Sequence, residues 1–207
     1  WHNAGPDFNR ENLAKLIKEW NVVITESGMD MLGANILTPS QSNDGFDFIW
    51  VMRWPSMSAR NAGWDWWNSS GAQDNWAESI NGIMSFSIEN VYPFEVTDVA
   101  QPRVENNTGS FLNRFHFCNF NDGSDSTSLK EFKNAVDSTI WSDTYWNVLL
   151  NPLFDADPKS DFVWLDLWAD QSDKDSALGK FMDSEYANMY VDNFTCNTVD
   201  FSGVVIR

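Results

Sequence analysis

The sequence contains few basic residues, few histidines and few cysteines, and each shortage weighs against a class of function. Thirteen Lys and Arg stand against thirty Asp and Glu, which gives a formal net charge of −17 at pH 7. That balance argues strongly against a nucleic-acid backbone or an anionic membrane surface as partner. Two histidines and two cysteines argue against a histidine-based or cysteine-cluster metal centre, so we predict no metal and no cofactor.

Longer functional signatures are missing as well. The sequence has no run of 18 or more apolar residues, so no membrane span is predicted. It also lacks a glycine-rich phosphate loop, a GxSxG elbow and an HExxH motif. Acidic loops such as NDGSDS and DQSDKD do not have the spacing of an EF-hand, and we interpret them as solvated loops.

Aromatic side chains are abundant, with 12 Trp and 15 Phe, and 43% of the residues are hydrophobic. Burying one aromatic side chain is worth about 4–6 kcal/mol as an upper limit, from roughly 150–250 Å² of area. Several such residues suffice for two small cores. The composition therefore predicts a compact, soluble protein.

One segment of the chain occurs twice. FDFIWVMRWPSMSARNAGWDWW at 46–67 matches SDFVWLDLWADQSDKDSALGKF at 160–181. The shared positions are Asp47, Phe48, Trp50, Trp54 and Ser58 in the first copy and Asp161, Phe162, Trp164, Trp168 and Ser172 in the second. Their spacing of 114 positions (161 minus 47) is too long for a solenoid repeat and suits one small domain. The sequence therefore predicts two repeats, at 1–104 and 105–207.

Each repeat predicts the order strand, helix, strand, strand, helix, strand. Strands are expected at 46–54 and 160–168, and the helix before the second of these has Ser126 or Ser128 as its cap. The last helix of the second repeat is predicted to continue through 178–190. In the first repeat, two glycines, Gly63 and Gly71, lie within the corresponding stretch of helically spaced apolar residues. We expect them to interrupt its helix.

The first repeat begins late. When Leu13 is aligned with Leu129, His2 falls at the position of Cys118, so most of the first strand is expected to be missing. We interpret this as an incomplete chain. The alternative is that another chain completes the sheet, which would give a homo-oligomer through the incomplete edge instead of a monomeric pseudo-dimer.

The strand and helix order, the repeat length and the duplication resemble the dimeric α/β-barrel superfamily of ferredoxin-like units. CNFNDGSDSTSLKEF, followed by a DFxWxxxW strand, is similar to small, mostly uncharacterised exported proteins of marine bacteria. The resemblance implies an α+β fold, with two tandem βαββαβ units whose antiparallel sheets pack as an intrachain pseudo-dimeric α/β barrel. The superfamily includes monooxygenases, haem-degrading enzymes, isomerases and stress-response proteins, so the fold does not select a chemistry.

The resemblance also bears on the cysteines. In a ferredoxin-like unit the last strand lies beside the first, so the end of the strand with Cys118 faces the start of the strand with Cys196. A disulfide and two buried free thiols are equally compatible with this placement. A disulfide would put the protein outside the reducing cytoplasm, and we predict a periplasmic or secreted location.

Candidate chemistry concentrates on two strands of the second repeat. Arg114 and His116 alternate on one face of the first strand, and Asp166 lies on the adjacent third strand. If these faces coincide, Asp166 orients His116 as a general base. The alternative, which the sequence favours, is that these side chains form structural ion pairs and hydrogen bonds. The first repeat has Met52 where the second has Asp166, so any such site is present once.

In the haem-degrading branch of the superfamily, the active site has an asparagine on strand one, a tryptophan on strand three and an iron-binding histidine near the start of the second helix. Asn113 or Asn119 and Trp164 match the first two positions. No histidine lies in 169–182, so the most specific element of a haem site is absent.

Two functions remain. The sequence favours a noncatalytic binding or interaction protein, with a small apolar or aromatic ligand held against the tryptophan stripes Trp50, Trp54, Trp164 and Trp168. The alternative is a cofactor-independent monooxygenase or isomerase that uses His116, Arg114 and Asp166. Alternating aromatics on a strand also serve as core packing, so the stripes alone do not decide between these functions.

Overall fold

The computed structural model describes residues 1–155 and 158–207, and the chain has a mixed α+β fold divided into two compact units. Unit 1 comprises Trp1–Val91 with Val204–Arg207, and unit 2 comprises Tyr92–Gly203. The two units reflect which residues contact one another in the folded chain. They do not test whether the sequence is duplicated, so the repeats at 1–104 and 105–207 stay a prediction.

Unit 1 has helices packed on short antiparallel strands. Its elements are β1 (His2–Ala4), α1 (Arg10–Ser27), β2 (Gly33–Pro39), β3 (Ile49–Arg53), α2 (Met57–Ser69), α3 (Ala72–Ser79) and β4 (Met84–Phe86). β2 pairs with β3 and β1 pairs with β4, in both cases antiparallel. Residues 206 and 207 hydrogen-bond to Ala34 of β2, which explains why the last residues belong to this unit.

Helix α1 places one apolar stripe on the unit 1 core. Leu16, Trp20 and Ile24, at spacings of four, are buried. The Asn9 side chain caps the helix by accepting from the Asn12 N–H, and Gly28 ends it in the left-handed conformation at φ 66°.

Only one of the two predicted glycine interruptions occurs. Gly71, at φ 82°, separates α2 from α3. Gly63 stays within α2 and is buried, because its missing side chain makes room for Trp54. A Cβ at position 63 would lie 2.5 Å from a carbon of the Trp54 ring.

The described residues of unit 2 form eight helices and strands. They are β5 (Phe94–Ala100), β6 (Ser110–Phe120), α4 (Ser126–Asp137), β7 (Trp146–Pro152), β8 (Phe162–Trp168), α5 (Gln171–Met182), α6 (Glu185–Asn193) and β9 (Phe194–Val205), whose last two residues count in unit 1. The strand order within unit 2 is β9-β6-β8-β7-β5. β6 is antiparallel to β8, with Arg114 opposite Asp166 and His116 opposite Trp164.

Two local predictions for unit 2 are wrong. The helix expected through 178–190 is two helices, since α5 ends at Met182 and α6 begins at Glu185. The cap of α4 is Asp125, which accepts from the Thr127 and Ser128 N–H groups, while the Ser128 hydroxyl completes a capping box. Asp125 is the cap because α4 begins at Ser126, which places Ser126 and Ser128 inside the first turn.

The DF dipeptides at 47–48 and 161–162 make corresponding contacts in the two units. The Asp47 N–H donates to the His2 carbonyl (2.9 Å), and the Asp47 carboxylate accepts from the Ala4 N–H (2.7 Å). In unit 2 the Asp161 N–H donates to the Cys118 carbonyl (2.8 Å), and its carboxylate accepts from the Phe120 N–H (2.9 Å). β1 has three residues and β6 has eleven, so this shared junction lies at the end of strands of unequal length.

The unit 2 sheet has an apolar cluster on each face. The helix face buries Trp164 and Trp168 with residues of α4, α5 and β9, among them Phe132, Ala177 and Phe194. The other face carries Val148, Val163 and Leu167 with partly buried phenylalanines. Within the described residues, no helix is long and apolar enough to cross a membrane.

Two glycines give a matched test of this packing. Gly63→Ala should destabilise the protein by about 1–3 kcal/mol, because the new methyl group overlaps the Trp54 ring. Gly179→Ala, in α5, meets nothing within 4 Å and should stabilise by about 0.5–1 kcal/mol. Urea unfolding of both variants measures the difference. Equal effects would show that Trp54 does not limit position 63.

Candidate functional site

The structure brings His116 and Asp166 together on the helix face of unit 2. His116 lies on β6 and Asp166 on β8, and the His116 Nε2 is 2.9 Å from the Asp166 Oδ2. Their side chains are 11% and 13% exposed, so water competes little for this contact. The catalytic role of the pair stays a prediction, but the geometry that it requires is present.

Three donors surround the Asp166 carboxylate. Besides His116, the Tyr145 hydroxyl and the Trp164 indole N–H both donate to Oδ1, each at 2.7 Å. Burial acts to raise the pKa of Asp166. The hydrogen bonds that it accepts, together with the positive charge of His116 when that ring is protonated, outweigh burial and hold the pKa of Asp166 below its ordinary value. Asp166 is therefore a carboxylate at neutral pH.

The second ring nitrogen of His116 contacts a tyrosine of α6. His116 Nδ1 is 2.9 Å from the Tyr190 hydroxyl. Since a carboxylate only accepts, the neutral imidazole carries its proton on Nε2, and Nδ1 accepts from Tyr190. Burial, followed by the charge of Asp166, raises the pKa of Tyr190 to about 12. Tyr190 is therefore a neutral phenol that donates to His116.

Arg114 belongs to an ion-pair cluster. Among the described residues, it makes no hydrogen bond to His116. Its Nε and one terminal nitrogen donate to the two oxygens of Asp200, each at 2.8 Å. Lys174 Nζ lies 2.9 Å from Asp200 Oδ1 and 5.4 Å from the centre of the Trp168 ring. The hydrogen bond to Asp200 raises the pKa of Arg114. The ion pair between Arg114 and Asp200 is of the kind expected if Arg114 has a structural role.

The Arg114–Asp200–Lys174 cluster predicts a loss of stability in acid. The hydrogen bond from Arg114, aided by Lys174, lowers the pKa of Asp200 from 3.8 to about 2. A lowered folded-state pKa stabilises the folded state above pH 3.8, and this contribution disappears as the pH falls towards 2. The difference in unfolding free energy between the wild type and Asp200→Asn should therefore shrink across this window.

Urea unfolding at several pH values measures that difference. Asp192→Asn, on the exposed part of α6, serves as the control and should differ from the wild type by a small amount at every pH. A gap for Asp200→Asn that stays constant down to pH 2 would contradict the ion-pair explanation.

Of the four tryptophans predicted to line a pocket, Trp164 and Trp168 are buried in unit 2, and Trp50 and Trp54 are partly buried in unit 1. Trp50 makes edge contacts with Trp20 and Trp76 at 5.3 and 5.9 Å between ring centres. Trp164 and Trp168 are 5% and 1% exposed in unit 2. The indole N–H groups of Trp50 and Trp168 are buried without a hydrogen-bond partner in the described part of the chain. The ligand pocket stays a prediction.

Cys118 and Cys196 form a disulfide that links β6 to β9, with the Cα atoms 4.1 Å apart. Of the two arrangements that the sequence left open, the structure has the disulfide. Cys118 is fully buried in the cluster that contains Trp164. The cross-link lies two residues along β6 from His116, so it ties the strand that carries the candidate base.

Several residues of the site were not anticipated, namely Tyr145, Tyr190, Lys174 and Asp200. Tyr190 belongs to a helical pattern that indicated only packing. Tyr145 lies just before β7 and reaches Asp166 through the pairing of β7 with β8. A buried carboxylate requires hydrogen-bond donors. For Asp166, that requirement is the feature of the sequence that indicates a tyrosine partner.

No family model matches the sequence, and no curated protein matches it significantly. Several solved structures are similar in fold, and three of them align with the whole of this chain. A candidate monooxygenase from Lactobacillus acidophilus has a TM-score of 0.57 and 11% sequence identity, and the match covers 93% of that chain. An anthrone oxidase-like protein has a TM-score of 0.53 and 10% identity over 90% of its chain. A candidate chlorite dismutase has a TM-score of 0.56 and 9% identity over 92% of its chain.

These similarities establish an α/β-barrel-like α+β fold, which agrees with the dimeric α/β-barrel superfamily expected from the sequence. Identities of 9–11% carry no assignment of activity.

A haem does not fit the residues of this fold in the way the haem-degrading branch implies. The chain has two histidines. Both ring nitrogens of His116 are hydrogen-bonded, to Tyr190 and Asp166. His2 lies in unit 1, where Nδ1 contacts the Ser85 carbonyl. No group of three or more potential metal-binding side chains occurs among the described residues.

Proposed function

We propose that the protein is a cofactor-independent monooxygenase acting on a small aromatic substrate with an acidic proton. The observation that carries this proposal is the continuous series Tyr190 hydroxyl, His116, Asp166, with both hydrogen bonds at 2.9 Å. Its order resembles the logic of a catalytic triad, in which a carboxylate orients a histidine that takes the proton of a hydroxyl. Here the hydroxyl is a phenol.

The series removes a proton without forming a tyrosinate. The substrate gives its proton to the Tyr190 oxygen while Tyr190 gives its own proton to His116 Nδ1. The imidazolium that results lies against the Asp166 carboxylate, which stabilises it. A tyrosine with a pKa of about 12 suits this role, because it stays neutral before and after the transfer.

Molecular oxygen completes the reaction. The substrate anion gives one electron to O2, and the resulting radical and superoxide combine to a peroxide. The proton on His116 returns to the peroxide and gives a hydroperoxide. The neutral His116 then accepts, through Tyr190, the remaining C–H proton of the same carbon. The carbonyl forms as the O–O bond breaks, and the hydroxide that leaves takes up this proton as water. For anthrone, C14H10O plus O2 gives anthraquinone, C14H8O2, plus H2O. The chain supplies the base and the order of proton transfers.

Anthrone is therefore the first substrate to test, since an anthrone oxidase-like protein shares the fold. Oxygen uptake and anthraquinone formation are followed with the purified protein at neutral pH, and the rate without protein is subtracted. We expect one O2 consumed per anthraquinone formed. Rates equal to background for anthrone and for related hydroxylated aromatics would overturn the proposal.

A noncatalytic ligand-binding role is the second candidate. It is favoured by the buried indole N–H groups of Trp50 and Trp168, which lack partners among the described residues. A ligand with an acceptor atom would satisfy such a donor. Tryptophan quenching by anthrone without any oxygen uptake would support binding over catalysis.

We further propose that the two repeats arose by tandem duplication of a ferredoxin-like unit. The identical DF junctions support this, since each ties an aspartate to the end of the first strand. An oxidising location, periplasmic or secreted, is supported by the disulfide. Native mass spectrometry distinguishes the monomeric pseudo-dimer from a homo-oligomer.

A further inference from the structure

A second polar cluster lies inside unit 2, on the side of Asp166 away from Arg114. Its centre is Lys133 of α4, a lysine 3% exposed. Buried lysines are rare unless they are paired. Lys133 Nζ is hydrogen-bonded to Asp137 and lies 3.5 Å from Asp98 Oδ1. This cluster has no part in the proton transfers proposed above.

The cluster contacts one neutral donor to Asp166 directly and influences the other through Asn147. Lys133 Nζ lies 5.7 Å from the centre of the Trp164 ring, and the N–H of the same indole donates to Asp166. A cation over the face of an indole is attracted to the ring electrons. By drawing on those electrons it makes the indole N–H a stronger donor, so the charge of Lys133 reaches the carboxylate through Trp164.

The second connection runs through Asn147 of β7. Its Nδ2 donates to Asp137 Oδ1 at 3.0 Å. Burial and the charge of Asp166 raise the pKa of Tyr145 well above its ordinary value, and the Asn147 side chain acts in the opposite direction. Asn147 is fully buried and lies directly opposite Asp166 in the pairing of β7 with β8.

We propose that Lys133 is a positioning residue for Asp166, acting through Trp164 and through Asp137, Asn147 and Tyr145. It fixes the two donors to Oδ1, so that Oδ2 remains for His116. The inference rests on the proposed function for its purpose, but the arrangement that it describes is measurable without any substrate.

NMR of the folded protein tests the proposal in three variants. Lys133→Met removes the charge and keeps the length of the chain. Lys133→Arg keeps the charge. Lys130→Met makes the same chemical change at an exposed position of the same helix. The readouts are the titration of the Asp166 side-chain carboxyl and the Trp164 indole N–H resonance, assigned with Asp166→Asn and Trp164→Phe.

In Lys133→Met we expect the pKa of Asp166 to rise and the Trp164 indole proton to move upfield, because the indole donates less strongly. Lys133→Arg should retain the wild-type values in large part, and Lys130→Met should match the wild type. If Lys133→Met is folded and both readouts stay at wild-type values, the proposal is overturned.

If Lys133→Met does not fold, Asp137→Asn gives the same decision, since it loosens Lys133 and Asn147 together while keeping the lysine. Unchanged Asp166 and Trp164 signals in Asp137→Asn would then overturn the proposal. These readouts also separate the two hypotheses. A protein without oxygenase activity that shows the expected shifts would refute the proposed reaction and leave the positioning role intact.

Discussion

Tyr190→Phe should lower the rate of substrate oxidation by about 10²–10⁴-fold, the usual contribution of a positioned acid or base. The variant removes one oxygen atom and leaves the ring among Phe132, Phe181 and Phe194. It therefore breaks the path by which a proton reaches His116 while it preserves the packing of α6. The measurement is steady-state oxygen uptake, with kcat and KM determined separately.

Tyr186→Phe is the matched control, because it makes the same change on the same helix, beside Trp141. It should keep near-wild-type activity. Asp166→Asn provides a second check, since an amide presents an N–H that competes with the His116 Nε2 proton and favours the wrong tautomer. A Tyr190→Phe protein as active as Tyr186→Phe would rule out the tyrosine as the entry point for the proton.

Removal of the Cys118–Cys196 cross-link should cost about 4.5 kcal/mol of unfolding free energy, the chain-entropy value for a closed loop of this length. The sequence separation is 78 residues. The double variant Cys118→Ala and Cys196→Ala keeps the buried site apolar, so the loss reports mainly the constraint on the unfolded chain. Urea unfolding of wild type and double variant gives the difference.

Unfolding in the presence of a reductant supplies the control. Reduction should lower the stability of the wild type towards that of the double variant and leave the double variant unchanged. Equal stabilities of the oxidised wild type and the double variant would mean that β6 and β9 are held by packing alone.

The sequence predicted the strands and helices of unit 2 well because their signals are local. Alternation along β6 placed Arg114 and His116 on one face, and the aromatic run of β8 identified its partner. The break between α5 and α6 was missed because apolar spacing continues across it, while the chain leaves the helix at Asp183 and Ser184. No glycine or proline marks that position.

The candidate site was partly predictable for a related reason. His116 and Asp166 lie on adjacent strands, and strand adjacency follows from the fold. The contact of Tyr190 depends on how α6 packs on the sheet, and the contact of Asp200 depends on the register between β9 and β6. No spacing in the sequence specifies either one. Arg114 illustrates the limit, because the sequence predicts an ion pair with a nearby acid and does not single out Asp200.

Unit 1 is built from two separate segments of the chain, and this affects the order in which the protein folds during synthesis. Residues 92–203 form one continuous unit, whereas residues 204–207 belong to unit 1 and emerge 113 positions after Val91 (204 minus 91). Domains generally fold as soon as their chain is available. The unit made first therefore has to wait for the other to be translated, and until then the edge of β2 that binds residues 206 and 207 has its backbone groups open to solvent, to chaperones and to other nascent chains.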